Sequence, residues 1–136
     1  MSSIEVAAAL LFRDGKLLIT QRSPGVHLGG LWEFPGGKRE GGETFIECLH
    51  RELQEELAIE VEVIDLIEAV THEYPEKIVH LGFFRCRLKR GEPQRLGCPD
   101  FRWVNREELA RFDFPEADSR LIRKLQANAD LWPPSS

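Results

Sequence analysis

Gly36-Gly37-Lys38-Arg39-Glu40-Gly41-Gly42-Glu43 runs into Thr44–Ile59 (TFIECLHRELQEELAI), and the reading of this stretch decides the fold. A glycine-rich loop opens into a segment with helical spacing. Glu52, Glu55 and Glu56 stand at i, i+3 and i+4, so a helix gathers them on one side. At about 100° per residue they fall within an arc of roughly 100°. Ile46, Leu49, Leu53 and Leu57 cover the neighbouring arc. One flank packs and the next is densely anionic. A solvated helix face is the plain reading of such a run. Like charges four residues apart, however, cost a helix roughly a few tenths of a kcal/mol per pair, a penalty that a bound cation reverses. Oxygen ligands without His or Cys favour Mg²⁺, with Mn²⁺ as a substitute.

Working outward, Ile4–Phe12 (IEVAAALLF) is apolar without alternation, as expected of a strand buried on both faces. Asp14-Gly15 signals a turn, and Lys16–Gln21 the return strand of a hairpin. Arg22–Gly30 reads as a loop, and Leu31–Phe34 as a short extended piece stopped by Pro35. Glu43-Thr44 supplies an acidic, cap-like helix start. Glu60–Thr71 and Ile78–Leu88 read as strands around a turn at Tyr74–Lys77, with Arg90–Pro93 closing the second. Phe101–Val104 is a last short strand, and Asn105–Glu108 resembles a capping box that starts a short helix. Asp118–Ala127 is amphipathic through Leu121, Ile122 and Leu125, and Leu131–Pro134 is expected to fray. This order predicts an α+β fold, a mixed β-sheet sandwiched between α-helices, in one domain spanning 1–136.

The 42% hydrophobic and 30% charged composition is that of a soluble globular domain. A net charge of −5 with no Lys/Arg-rich block argues against duplex nucleic acid, though not against a nucleotide, since metal ions bring polyphosphates to acidic sites. Cys48, Cys86 and Cys98 form no CxxC pair and read as reduced thiols. The N-terminus has no basic leader region and no apolar run reaches the length of a membrane span, so a cytoplasmic protein is expected.

Gly37, five residues, Glu43, seven residues and Arg51-Glu52-Leu53-Gln54-Glu55-Glu56-Leu57-Ala58-Ile59 together resemble the Nudix box, over residues 37–59. One fixed position departs: Ala58 stands where the family has glycine, a change expected to cost about 1 kcal/mol or less in C-cap geometry. The resemblance implies hydrolysis of a diphosphate linkage. It implies that the Gly37 carbonyl, Glu52 and Glu56 hold metal with Glu55 assisting, and that Arg51 orients loop and helix carboxylates, Glu43 among them.

The flanks are similar to the MutT group, whose members cut nucleoside triphosphates, notably 8-oxo-dGTP, to monophosphate and pyrophosphate. The matching stretches are Leu18–Arg22, His27–Lys38, Glu73-Tyr74-Pro75 and Asp113–Asp118. By this resemblance Arg22 lies near the base and α-phosphate, Glu33 and Phe34 line the nucleoside pocket, Lys77 stands beside the base, and Lys38 also binds substrate. Asp118 on its own reads first as an N-cap of the last helix, and its Phe-Pro-x-Ala context turns the reading toward the base. An ionised aspartate only accepts hydrogen bonds. It would have to be protonated to meet a guanine O6, or face the N1–H and 2-amino donors instead. It would accept readily from the 4-amino group of cytosine. The implied role is removal of 8-oxo-dGTP from the nucleotide pool, with (d)CTP or a modified cytidine triphosphate as the alternative. A nucleotide-sensing module without catalysis is a third reading, which the retained Glu43, Glu52, Glu55 and Glu56 oppose. A monomer or weak homodimer is expected.

MutT-like chains often carry a further glutamate about six residues before a late tryptophan. Ahead of Trp103 stands Leu96-Gly97-Cys98, leaving Asp100 as the nearest replacement and Glu92 as a remoter one. The site then uses one metal fewer, Asp100 swings in, or water fills the place. His27, His50, His72 and His80 form no ligand pattern and read as structural or surface residues.

Overall fold

The first strand, β1 (Ser2–Arg13), organises the molecule, and a computed structural model describes residues 2–133. Its apolar run lacks alternation because both faces are covered. Ala7, Ala9 and Leu11 pack into one buried cluster, and Ala8, Leu10 and Phe12 into another. Asp14 and Gly15 both take positive φ (53° and 76°), the twist that a two-residue hairpin turn requires, and β2 (Lys16–Gln21) returns beside β1.

β3 (Trp32–Glu33) pairs with β2 on its outer side, and β7 (Phe101–Val104) also pairs with β2. β4 (Gly36–Lys38) pairs antiparallel with Val6–Ala8 of β1. The glycine-rich loop expected here therefore begins as a strand, made by pairing rather than by propensity. β5 (Glu60–Tyr74) and β6 (Lys77–Arg90) form a hairpin longer than the two predicted strands, and β6 lies parallel to β1 along Ser2–Phe12. The main path through the sheet is β3-β2-β1-β6-β5.

Helix α1 (Phe45–Leu57) covers one face of the sheet, burying Cys48, Leu49, Leu53 and Leu57. Ile46 does not belong to that buried arc: it is 44% exposed, and Cys48 takes its place. Thr44 caps the helix through a reciprocal bond pair with Glu47, Glu47 N to Thr44 Oγ1 at 3.0 Å and Thr44 N to Glu47 Oε1 at 2.8 Å. At the other end Ala58 adopts the left-handed conformation (φ 57°, ψ 39°). Its N–H bonds Gln54 O at 3.1 Å while Ile59 N bonds Leu53 O at 3.4 Å.

Helix α2 (Ser119–Ala127) and short 3₁₀ turns cover the opposite face. The capping pair predicted at Asn105 and Glu108 forms in both directions (2.8 and 2.9 Å), but it starts a 3₁₀ turn, Glu107–Arg111, rather than an α-helix. Within the stretch expected to fray, Trp132 is held in place. Trp132 donates its indole N–H to Leu125 O at 3.0 Å and meets Phe12 edge-on at 5.3 Å. Pro134 lies outside the described residues. Among the described residues no helix is long and apolar enough to cross a membrane.

Candidate active site

Helix α1 aims its carboxylates at the edge of β4, and Arg51 organises them. Its Nε and Nη2 hold both oxygens of Glu43 (3.1 and 2.7 Å), Nη1 holds Glu52 (2.9 Å) and Glu55 (3.3 Å), and Nη2 also reaches Lys38 O (3.0 Å). The Arg51 hydrogen bond pulls the Glu43 carboxyl down to about 2, so Glu43 stays ionised at any working pH. One guanidinium thus joins the loop, the end of β4 and the helix. Exposed ion pairs contribute little individually, but those of Arg51 with Glu43 and Glu52 are partly buried. Here five contacts converge on a planar fork that fits carboxylates two at a time.

Gly37 is shaped by the same carboxylates. A Cβ on it would lie against the Glu52 carboxyl, 2.6 Å from Oε1. Its carbonyl oxygen accepts from the buried thiol of Cys48 (Sγ–O 3.4 Å). Burial, then the charge of Glu43, pushes that thiol up to about 11, so it keeps the proton it donates.

Beside these groups opens a cavity of about 570 Å³. One end is walled by Gly36, Gly37, Lys38, Glu52 and Glu56, the other by Phe34, Tyr74, Pro115, Ala117 and Asp118. Between them runs an apolar floor created by strand register: Ile4 sits opposite Val79, Val6 opposite Leu81 and Ala8 opposite Phe83. Phe34, 3% exposed, is held edge-on against Phe83 and stacked on Phe114 (5.4 Å). Arg22 also lines the cavity, donating to Glu33 Oε1 at 2.8 Å and to His27 O at 2.9 Å.

The electrostatics divide the cavity. Burial raises the Glu52 and Glu33 carboxyls despite their arginine partners, Arg51 and Arg22. Burial, then Glu33 and Glu52, raises Glu56 to about 8. Asp118 is 5% exposed, and burial followed by Glu33 lifts it to about 7, with Arg22 opposing. Asp118 does occupy the N-cap position of α2, but its side chain makes no capping bond to the helix.

Buried, mutually repelling carboxylates at the α1 end gain from a cation. Among the described residues no group of His, Cys, Asp and Glu side chains forms a closed cage for a metal ion. The donor set is instead two helix carboxylates, a neighbouring backbone carbonyl and open space. That set fits a small hard cation, which keeps several waters and shares substrate phosphates.

Of the residues singled out from sequence, Arg22, Glu33, Phe34, Gly37, Lys38, Glu52, Glu56, Lys77 and Asp118 all line this one cavity. Glu43 and Arg51 stand behind it. Glu55 is 59% exposed and touches Arg51 at the rim rather than lining the cavity. Asp100 does not swing in: its carboxylate takes the Phe101 N–H (2.9 Å) and Arg102 (2.7 Å), while Glu92 pairs with Arg13 (2.8 Å). The segment before Trp103 packs on α1 instead. The amides of Leu96 and Gly97 donate to Glu56 O, and a Cβ on Gly97 would come within 3.1 Å of Glu56 Cα.

Sequence reasoning missed the strand residues of the floor and His27. His27 lines the cavity, approaches Glu76 (3.2 Å) through Nδ1 and meets Tyr74 edge-on. The parity of Ile4, Val6 and Ala8 against Val79, Leu81 and Phe83 is the available signal, but it needs the β1–β6 register to be used.

The NUDIX domain profile matches residues 6–124 of the chain. A CTP pyrophosphohydrolase of Escherichia coli K12 is 36% identical over 127 residues, covering 93% of this chain and 94% of that protein. An 8-oxo-dGTP diphosphatase of Haemophilus influenzae is 39% identical over 124 residues, covering 90% of each. Among solved structures, one from a study of MutT from Aliivibrio salmonicida and Vibrio cholerae superposes with a TM-score of 0.77 at 28% identity, covering 92% of this chain and 97% of that one.

Proposed function

The chain belongs to the NUDIX domain family and is a Nudix hydrolase; on that premise we propose a Mg²⁺-dependent nucleoside triphosphate pyrophosphohydrolase acting on 8-oxo-dGTP and dGTP-like nucleotides. One observation carries this reading. A single cavity joins the carboxylate end at Glu52 and Glu56 to an aromatic end closed by Asp118, which is buried and whose side chain makes no capping bond. A base at Asp118 and Phe34, with Lys77 beside it, places its phosphates along Lys38 toward Glu52 and Glu56. Water attacks the β-phosphorus, the bond from that phosphorus to the α–β bridging oxygen breaks, and monophosphate leaves from pyrophosphate. Bound Mg²⁺ would neutralise charge on the phosphate oxygens and orient the water. Glu52 and Glu56 hold the cation with the Gly37 carbonyl, Arg51 keeps Glu43 and Glu52 in place, and Glu55 assists from the rim. The cytoplasmic nucleotide pool is the setting.

Asp118 also supports a second reading. Protonated, it both donates and accepts, as a guanine edge requires; ionised, it accepts from the 4-amino group of cytosine. Its carboxyl, raised to about 7, stands between these states at neutral pH. The deciding assay is turnover with Mg²⁺ across 8-oxo-dGTP, dGTP, dCTP, 5-methyl-dCTP, ADP-ribose and diadenosine polyphosphates, with products identified. Preference for 8-oxo-dGTP with pyrophosphate released supports the main reading. Preference for the cytosine nucleotides transfers the assignment to the second. No turnover of any nucleotide alongside tight binding would leave a sensing module.

A further inference from the structure

Cys48 has no part in the metal or base readings, yet three parts of the carboxylate end meet on it. It is fully buried on the inner face of α1. Its Sγ donates to Gly37 O at 3.4 Å and accepts from Arg51 Nη2 at 3.9 Å. Those two partners are the groups that confine Glu52. The Glu52 carboxyl lies against the Gly37 backbone, in the space a side chain there would need, and Arg51 Nη1 holds its Oε1 at 2.9 Å. A thiol is both a weak donor and a weak acceptor, so one atom serves the strand and the guanidinium at once.

We propose that Cys48 is a positioning residue: its thiol ties β4 to α1 and braces Arg51, and the two together fix the Glu52 carboxylate at the metal end of the cavity. The role rests on the reading of Glu52 as a metal-holding carboxylate. Filling the core asks only for a small apolar group at this place, and alanine would supply one. The bond to Gly37 and the contact with Arg51 ask for an atom that donates and accepts, which alanine lacks and serine has.

That difference defines the experiment. Mn²⁺ binding is measured from the electron paramagnetic resonance of the free ion for the wild type, Cys48→Ala, Cys48→Ser and Glu52→Gln, with thermal melting as the control on folding. Alanine and serine give up nearly the same bulk, so their melting points should fall together. Groups that orient metal ligands change affinity by roughly 10–100-fold. A weaker thiol donor should bring C48A to roughly three- to tenfold poorer Mn²⁺ binding than the wild type. C48S should recover part of that loss. Wild-type affinity in C48A, or equal losses in C48A and C48S, overturns the proposal and leaves Cys48 as core packing. If E52Q binds Mn²⁺ as the wild type does, the metal reading of Glu52 is at fault, and the role of Cys48 falls with it.

Discussion

Two adjacent glycines should fail in different ways when each is given one methyl group. At Gly36 the new Cβ would strike the β1 backbone, overlapping Ala7 O and lying 2.8 Å from Ala8 Cα. Backbone in a paired strand cannot yield, so β4 has to lift off β1. Overpacking of this kind costs about 1–3 kcal/mol, and the lost pairing places Gly36→Ala at the upper end. With about 3 °C of melting temperature per kcal/mol at this chain length, the expected fall is about 6–10 °C. At Gly37 the Cβ meets only the end of the Glu52 side chain, 2.6 Å from Oε1. That side chain can rotate away, breaking its 2.9 Å contact with Arg51. The fold should then lose less than in Gly36→Ala, because a side chain and not paired backbone gives way. The carboxylate moves by about an ångström, a displacement that costs on the order of 100-fold in kcat/KM. Thermal melting and steady-state turnover, run on both variants, separate the outcomes. Near-normal turnover in Gly37→Ala would refute the argument, as would a melting loss matching that of Gly36→Ala.

Ala58→Gly relieves about 1–2 kcal/mol of left-handed strain and returns about 0.4–1 kcal/mol of chain entropy to the unfolded state. Melting should therefore rise by about 2–3 °C with unchanged kcat, and a lower melting point would show that Ala58 is not strained. For Asp118, raised by burial to about 7, the protonated form predominates at pH 6 and the ionised form at pH 8. KM for 8-oxo-dGTP should rise across that interval and KM for dCTP fall, while Asp118→Asn flattens both profiles; parallel profiles in the variant and wild type would remove Asp118 from the base. The same shift has a stability sign: a carboxyl raised in the folded state favours folding while protonated, so its contribution is lost as pH climbs from about 4 through about 7. Glu56, raised to about 8 chiefly by burial, must give up its proton to hold a cation. Mg²⁺ binding at pH 7 should release protons, read by calorimetry in buffers of different ionisation enthalpy, and Glu56→Gln should release fewer.

What is legible in the sequence is whatever short-range spacing determines. The α1 carboxylates, the Leu49–Leu53–Leu57 stripe, the Asp14-Gly15 turn and the capping pair at Asn105 and Glu108 each lie within a few residues of one another. Their geometry follows from helix and turn periodicity alone. β4 is not legible, because Gly36 and Gly37 have no strand propensity and pair only where β2 has diverged from β1. Ile46 is misplaced by periodicity since a helix face does not say how far the sheet beneath extends. Trp132 reads as frayed because its partners, Leu125 O and the Phe12 ring, belong to a helix end and a strand that local spacing does not connect to it.

The same division runs through the cavity and bears on how it works. The carboxylate end comes from one loop and one helix, cross-linked by the five contacts that Arg51 makes to Lys38, Glu43, Glu52 and Glu55, so a change there disturbs several groups together. The base end comes from separate pieces: Arg22 after β2, Phe34 after β3, Lys77 at the head of β6 and Asp118 before α2. The β2–β3 pairing ties Arg22 to Phe34, while Lys77 and Asp118 come from other elements, and no single contact among the described residues joins all four. Substitution at Asp118 should therefore move the choice of base while leaving the cleavage end in place. Substitution at Arg51 should lower turnover on every nucleotide alike. On the proposed reading, a pyrophosphate-cutting end that tolerates little change thus sits beside a base pocket that can be retuned one residue at a time.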